Sequence, residues 1–229
     1  MRDAGSAEPR ADRVVFDMDG TLMYGDSGAQ LIHHLIERNL WRRVLAVVIA
    51  PLGFALMAIA STRRVGVSMF FWVATVGTSE SQFNASVVQF VATHAPQRIE
   101  IAISAVQAAL DSGADVTIAT GAFQALAEQL VATLQLRGAP RVVGSTIRRF
   151  GGGFVARLQA NGIFKLQRLA ECGVEPPFAC AWSDSRADLP LLCAARETHW
   201  VTSRAVAARA VRKRLPGVIV HTIARSSLR

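Results

Sequence analysis

Residues 16–22, Phe16-Asp17-Met18-Asp19-Gly20-Thr21-Leu22, decide the fold. Three apolar residues, Val14, Val15 and Phe16, run into two carboxylates spaced i, i+2, and a Gly-Thr turn follows at once. Such an apolar run reads as a buried strand, and Asp-Gly reads as its end. In an extended chain Asp17 and Asp19 project to one side, with the turn free to re-aim the second. Two carboxylates this close repel unless a cation lies between them or one keeps a proton. Either arrangement is chemically useful. One carboxylate can attack while the other moves a proton, and a divalent metal can neutralise the pair. Taken alone, the same residues could be no more than an acidic strand-to-turn junction.

The following chain alternates. A helix is predicted over 28–38, with Leu31, Ile32, Leu35 and Ile36 on one face, and further helices over 79–94 and 99–110 on either side of Pro96. A strand over 115–119 ends in Thr120-Gly121 and leads into a helix from Phe123 to Leu136. Residues 141–146 and 153–158 read as a hairpin around Gly151-Gly152-Gly153. A helix over 163–172 carries Lys165, a strand over 179–183 runs into Asp184, and Asp188 opens a short Leu-rich helix. Strands over 199–202 and 217–222 flank a basic helix over 205–214. This alternation after residue 97 argues an α/β fold with an open, mainly parallel sheet. The expected organisation is a flexible tail over 1–12, a catalytic core made of 13–26 and 97–229, and an all-helical, strongly apolar cap over 27–96.

The insert holds the oddest stretch. Val44–Ala60 contains no charged or hydrogen-bonding side chain over seventeen residues, with Arg42-Arg43 before it and Arg63-Arg64 after it. A second apolar run, Val65–Gly77, is interrupted only by Ser68 and Thr75. A buried cap helix should still show one polar face to water, and this one shows none. Pro51 and Gly53 are expected to kink or break it midway. Asp17 lies before the insert while Thr120 and Asp184 lie after it, and all must meet in one site. A single crossing would strand them on opposite faces of a bilayer. The expectation is therefore a re-entrant or interfacial helical hairpin dipping into one leaflet from the cytoplasmic face.

Composition agrees with an anionic target. Hydrophobic residues make up 51% and charged residues only 18%, and the net charge is +8, with a pI of about 10.8 and a mean hydropathy of +0.30. This points to phosphate esters, anionic lipid or nucleic acid. From Arg196 onward the chain carries a net +7, with Glu197 its single acid. Helix 205–214 could therefore attract an anionic membrane surface or simply be a solvated face. Nucleic acid is not expected, because no aromatic platform interleaves with these cations and a binder has no need of the acids above. Cys172, Cys180 and Cys193 form no CxxC pair and no Cys/His cluster with zinc spacing, and read as reduced, partly buried thiols. Residues 1–12 lack the apolar segment of a secretory signal.

In open parallel sheets ligands bind at the carboxyl ends of the strands. Four such ends carry, or lead into, polar groups: Asp17/Asp19, Thr120-Gly121, Lys165 beyond the hairpin, and Asp184/Asp188. The inventory suits phosphoryl transfer. Asp17 would serve as nucleophile and Asp19 as general acid and then base. Thr120 and the Gly121 amide would hold phosphoryl oxygens, with Lys165 balancing their charge. Asp184, Asp17 and the Asp19 carbonyl would hold Mg²⁺, a hard cation suited to oxygen ligands, with Asp188 in support. Only two lysines occur in the chain, Lys165 and Lys213, which makes Lys165 informative. Singly, each residue could be a turn residue, a helix N-cap or a solvated cation. The order and spacing of the set are what is specific.

On these residues the chain resembles the haloacid dehalogenase superfamily of aspartate-nucleophile phosphatases. The matching segments are DMDGT at 17–21, Thr120, Lys165 and SDSRADLPLL at 183–192. Subfamilies with a helical cap, such as the phosphoserine phosphatases, carry it between the first motif and Thr120. Within these the chain looks most like phosphatidylglycerophosphatase C. That rests on the paired apolar runs, Phe71-Trp72, Gly77, Ser79-Glu80, Thr120-Gly121, Arg149 with Gly151-Gly152, and Trp182-Ser183-Asp184-Ser185. The resemblance implies hydrolysis of phosphatidylglycerophosphate to phosphatidylglycerol and phosphate at the inner face of the membrane, in phospholipid synthesis. One departure is Ala122-Phe123, where that pattern places Ser-Pro. The rival within the enzyme class is a soluble small-metabolite phosphatase of the phosphoserine phosphatase type.

Overall fold

In a computed structural model, described over residues 12–59, 61–94 and 96–224, the apolar run forms strand β1 (Arg13–Phe16). It lies at the middle of a seven-stranded sheet and is buried on both faces, as a near-continuous Val/Phe run requires. β1 pairs in parallel with β2 (Asp115–Phe123) on one side and β5 (Phe178–Ser183) on the other. Outward from β5 follow β6 (Ala195–Thr202) and β7 (Ile219–Thr222), both parallel. Outward from β2 follows β3 (Arg141–Phe150), which turns at Gly151-Gly152 into antiparallel β4 (Gly153–Leu158) at the sheet edge. The mainly parallel α/β sheet expected from the sequence is therefore present. The expected tail over 1–12 lies outside the described residues except for Asp12.

Between β1 and β2 the chain makes helices α1 (Ser27–Glu37), α2 (Leu40–Ala58), α3 (Arg63–Thr75), α4 (Glu80–Thr93) and α5 (Glu100–Asp111). After β2 come α6 (Gln124–Ala132), α7 (Ile163–Glu171), α8 (Leu189–Cys193) and α9 (Ala205–Arg212). One face of the sheet, through Val14, Phe16 and Ile118, shares a single core with α5 and α6 and with Leu31, Phe71, Phe83 and Phe90 of the insert. The other face packs Val15, Ala119 and Ala181 against Leu169, Leu191, Leu192 and Val211.

Several boundaries differ from the sequence expectation, each for a physical reason. β2 does not stop at Ala119 but runs on to Phe123, with a register shift between those residues. Thr120-Gly121 therefore lies in a bulge, held open where the Ser145 hydroxyl donates to the Gly121 carbonyl at 2.7 Å. α6 ends at Ala132, four residues early, because the Thr133 hydroxyl donates back to the Leu130 carbonyl at 2.6 Å and Gln135 turns to a φ of 55°. Cys193 is exposed rather than partly buried.

Helix α2 is the main surprise. It runs unbroken through Pro51, which lies on the exposed side of the helix, so the ring meets no packed neighbour and costs the helix one hydrogen bond. Among the described residues it is the one helix long and apolar enough to cross a membrane. Only Arg42 and Gly53 along it are buried, whereas Val47 and Val48 are 73% and 70% exposed. It is held against α3 by close backbone approach, since a Cβ on Gly66 would meet the Gly53 carbonyl oxygen at 2.7 Å. Arg42, expected as a flanking charge, turns inward. Its guanidinium donates to the Ala74 and Val76 carbonyls, each at 2.8 Å, and to the Thr78 hydroxyl at 2.7 Å. A cation at the C-terminal end of α3 also complements that helix dipole. Arg42→Ala strands those acceptors and is expected to destabilise the fold by about 2–4 kcal/mol in equilibrium urea unfolding. A loss below ~1 kcal/mol would show that water replaces the guanidinium.

Candidate active site

The central strands end together. The Asp17 amide donates to the Trp182 carbonyl at 2.9 Å, which ties the first residue after β1 to β5. The chain then folds back tightly: the Leu22 amide donates to the Met18 carbonyl at 2.8 Å and the Gly20 amide to the Met23 carbonyl at 2.7 Å. Gly20 has a φ of 77°, and its α-carbon faces the Asp184 carboxylate so closely that any Cβ would clash with it. Glycine here serves both the left-handed turn and the approach of a third carboxylate.

Lys165, on the first turn of α7, reaches into this space and is 2% exposed. Its ammonium donates to Asp17 Oδ1 at 2.7 Å and to Asp188 Oδ2 at 2.6 Å. Asp188 closes a single 3₁₀ turn, Arg186–Asp188, and also accepts from the Ser183 hydroxyl at 2.8 Å. Asp19 Oδ2 accepts from the hydroxyl of Ser27, at the start of α1, at 2.9 Å. The remaining oxygens of Asp19 and Asp188, Oδ1 in each, are buried and have no hydrogen-bond partner. Thr120 is fully buried near the end of β2, beside β1, and its hydroxyl accepts from the Ala122 amide at 3.1 Å. Gly121 next to it is exposed.

The structure thus gathers Asp17, Asp19, Lys165, Asp184 and Asp188 into one cluster and sets Thr120 and Gly121 on the neighbouring strand. Two residues bonded to the cluster had no role assigned from sequence, Ser27 and Ser183. Ser183 lies inside the 183–192 run, whereas Ser27 is a lone serine near a helix start. Phe123, at the departure from Ser-Pro, stacks on Phe71 of α3 with ring centroids 3.9 Å apart. The position is used to join the sheet to the insert.

The electrostatics are those of a cation site. Burial raises the pKa of Asp17 to about 6, of Asp19 to about 7 and of Asp184 to about 8. Lys165 partly counters this at Asp17, while Asp17 and Asp188 add to it at Asp184. Burial also opposes charge on Lys165, but Asp17 and Asp188 outweigh it and hold the ammonium above its ordinary range. Four carboxyl groups against one ammonium, with two buried oxygens unpartnered, form an all-oxygen donor set that fits a hard divalent cation such as Mg²⁺.

These shifts fix a sign. Each of the three folded pKa values lies above the ordinary carboxylate value of 3.8, so the folded protein binds extra protons. Stability is then fully present below about pH 4 and is lost as pH rises through about 6, 7 and 8. Without divalent cation the thermal midpoint is expected to fall between pH 5 and pH 9, and excess Mg²⁺ should shrink that fall, because it favours the ionised carboxylates. An unchanged slope with Mg²⁺ would count against the donor set.

The haloacid dehalogenase-like hydrolase family matches residues 14–192, from β1 to the end of the Asp188 segment. The chain belongs to that family. Solved structures are similar across nearly the whole chain. A protein of unknown function from Bordetella pertussis Tohama I superposes with a TM-score of 0.69 at 18% identity, covering 92% of this chain and 98% of that one. A phospho-aspartyl intermediate analogue of phosphoserine phosphatase gives 0.58 at 10% identity, with coverages of 94% and 96%. Cytosolic 5'-nucleotidase IIIB bound to cytidine gives 0.60 at 9% identity, with coverages of 94% and 81%. At such identities the likeness is one of fold. The hydrolase is therefore built on the haloacid dehalogenase-like sheet, with its acids at the carboxyl ends of the central strands.

Proposed function

We propose that this hydrolase is a Mg²⁺-dependent phosphomonoesterase that works through an aspartyl-phosphate on Asp17. We further propose that its substrate is a phospholipid phosphate, phosphatidylglycerophosphate, met at the cytoplasmic face of the membrane. The observation that carries the lipid reading is the bare apolar surface of α2, which belongs to the same insert that covers the sheet.

The chemistry follows from the residues. Asp17 Oδ1 is committed to Lys165, whereas Oδ2 meets only the Thr21 hydroxyl, at 3.4 Å, which leaves Oδ2 the freer nucleophile. Its attack on phosphorus forms the new O–P bond as the ester O–P bond breaks. Asp19, protonated near neutral pH by its burial, gives its proton to the departing alcohol oxygen. The same carboxylate then takes a proton from water as the water oxygen attacks the phosphorus. Phosphate leaves and Asp17 is restored. Lys165, Thr120 and the Gly121 amide face the phosphoryl oxygens, where charge accumulates. Asp17, Asp184 and the Asp19 carbonyl, with Asp188 in support, would hold Mg²⁺, which would supply positive charge against the incoming phosphate.

The insert suits an acyl-chain substrate. α2 offers Leu40, Val44, Val47, Val48, Leu52 and Phe54 to its surroundings. Its following turn leads to Arg64, whose guanidinium lies over the Phe164 ring at 3.1 Å, one residue from Lys165. Interfacial binding would seat α2 among acyl chains while the headgroup reaches Asp17. The exposed cations of α9, Arg209 and Arg212, add attraction to anionic lipid.

The test is Mg²⁺-dependent phosphate release from phosphatidylglycerophosphate in mixed micelles, beside phosphoserine and an aryl phosphate. Strong preference for the lipid is expected. Equal or better turnover of the soluble esters would sink the lipid assignment and favour a small-metabolite phosphatase. In parallel, the double substitution Val47→Glu, Val48→Glu is expected to lose most co-sedimentation with anionic vesicles, since charge on the inserting face is costly. Retained co-sedimentation would remove α2 from the membrane contact.

A further inference from the structure

Beside the carboxylate cluster, strands β5, β6 and β7 bring a second set of reactive side chains together. Parallel register sets Cys180 opposite Glu197 and Trp182 opposite His199. Residues two apart share a face of a strand, so Cys180, Glu197 and His199 project from the same side. One ligand atom from each, the Cys180 sulfur, a Glu197 oxygen and a His199 ring nitrogen, all lie within 4.8 Å of one another. His199 Nε2 lies 2.6 Å from Glu197 Oε1, and its Nδ1 lies 2.8 Å from His221 Nε2 on β7. The His199 ring is almost parallel to Trp182, at 3° and 4.1 Å between centroids, and His221 stacks on the same indole at 4.4 Å. The imidazole is thus fixed in plane on both edges and on one face.

We infer that Cys180, Glu197 and His199 form a Zn²⁺ site across β5 and β6, with His221 on β7 positioning the His199 ring. The donor set decides the ion. One sulfur, one imidazole nitrogen and one carboxylate oxygen suit borderline Zn²⁺ and are a poor match for Mg²⁺, which wants oxygens only. The ligand atoms are close enough to converge on bonds of about 2.0–2.3 Å with small side-chain rotations. Three protein ligands leave a fourth position for water. The site has an entry path, because the Glu197 side chain is 58% exposed while His199 is 10% exposed. Glu197 is also the single acid from Arg196 to the last residue, and it lies where the Cys180 thiol and the paired His199 and His221 imidazoles meet.

Protons balance as follows. Without metal, burial and the nearby Glu197 push the Cys180 thiol up to about 12, so the sulfur arrives protonated. Binding displaces that proton to solvent. His199 shifts its own proton from Nε2, freed for the ion, to Nδ1, from where it donates to His221 Nε2. His221 in turn carries its proton on Nδ1. A second hydrogen bond of this kind fixes the tautomer and typically changes metal affinity by about 10–100-fold. None of this depends on the chemistry at Asp17.

Cobalt reads the site directly, because a thiolate-to-cobalt charge-transfer band in the near ultraviolet reports sulfur ligation. Full-length protein would be titrated with Co²⁺ in excess Mg²⁺, which keeps the carboxylate cluster occupied, and then with competing Zn²⁺. One equivalent of Co²⁺ is expected to produce the band, and Zn²⁺ to remove it. Cys180→Ser and Cys180→Ala should both abolish the band, while Cys172→Ser and Cys193→Ser should leave it. His221→Ala should weaken Zn²⁺ affinity by about 10–100-fold. Circular dichroism of each variant reports that the fold is retained. No band in the wild-type protein, or a band that survives both Cys180 substitutions, overturns the site. Unchanged affinity in His221→Ala overturns the positioning role.

Discussion

Asp17→Asn is expected to lower phosphate release by at least about 10⁴-fold, the order found when a covalent nucleophile is removed. The substitution keeps the side-chain shape, and the amide oxygen can still accept from Lys165, as Asp17 Oδ1 does at 2.7 Å. It also removes one of four carboxyl groups in a buried cluster where burial already drives Asp17 up to about 6. Folding stability should therefore hold or rise, so the loss cannot be blamed on misfolding. Urea unfolding and phosphate release on one preparation check both halves. Wild-type protein quenched with acid during turnover should carry phosphate on Asp17, visible by mass spectrometry of the peptide. Retained turnover in the asparagine variant would refute the covalent mechanism and move the nucleophile elsewhere, most simply to an activated water.

How far the sequence could be read depends on whether the deciding interaction is local. The strand-to-turn at Phe16–Leu22 and the run at 183–192 concentrate their chemistry within a few residues. The acid cluster, the parallel sheet and the involvement of Lys165 were accordingly legible. Ser27 was not, because its bond to Asp19 depends on where α1 begins relative to the turn. Arg42 and Arg64 look like matched flanking charges in sequence. In the fold one is turned in to cap α3 and the other lies on Phe164, since neighbouring acceptors and rings decide an arginine's direction. The bulge at Thr120 comes from Ser145 on another strand, and the continuity of α2 through Pro51 from which side of the helix is left unpacked. Cys180 and His199 show the same limit most sharply. Zinc spacing rules detect ligands close in sequence, whereas these two are brought together by the register between β5 and β6.

Lys165→Met is expected to destabilise the fold by about 3–5 kcal/mol at neutral pH, because it leaves two buried carboxylates without their cation. The methionine fills similar space, so the cost is electrostatic rather than one of packing. Lys165 is 2% exposed and holds both Asp17 and Asp188, the latter with a further oxygen already unpartnered. Its folded pKa lies above the ordinary 10.5, so its contribution is fully present below about pH 10 and disappears only at more alkaline pH. In the variant Asp17, whose burial already drives it up to about 6, regains neutrality by binding a proton. The difference from wild type should therefore narrow as pH falls toward 5 and widen toward 8, which denaturant midpoints across that range will read. Phosphate release should drop about 10²–10³-fold even where the variant is folded, the effect typical of losing one preorganised positive group at a developing oxyanion. A variant as stable as wild type at pH 8 would mean that the buried carboxylates do not depend on the ammonium for their place in the fold. Lys165 would then be a ligand for the phosphoryl group alone and not the keystone of the acid cluster.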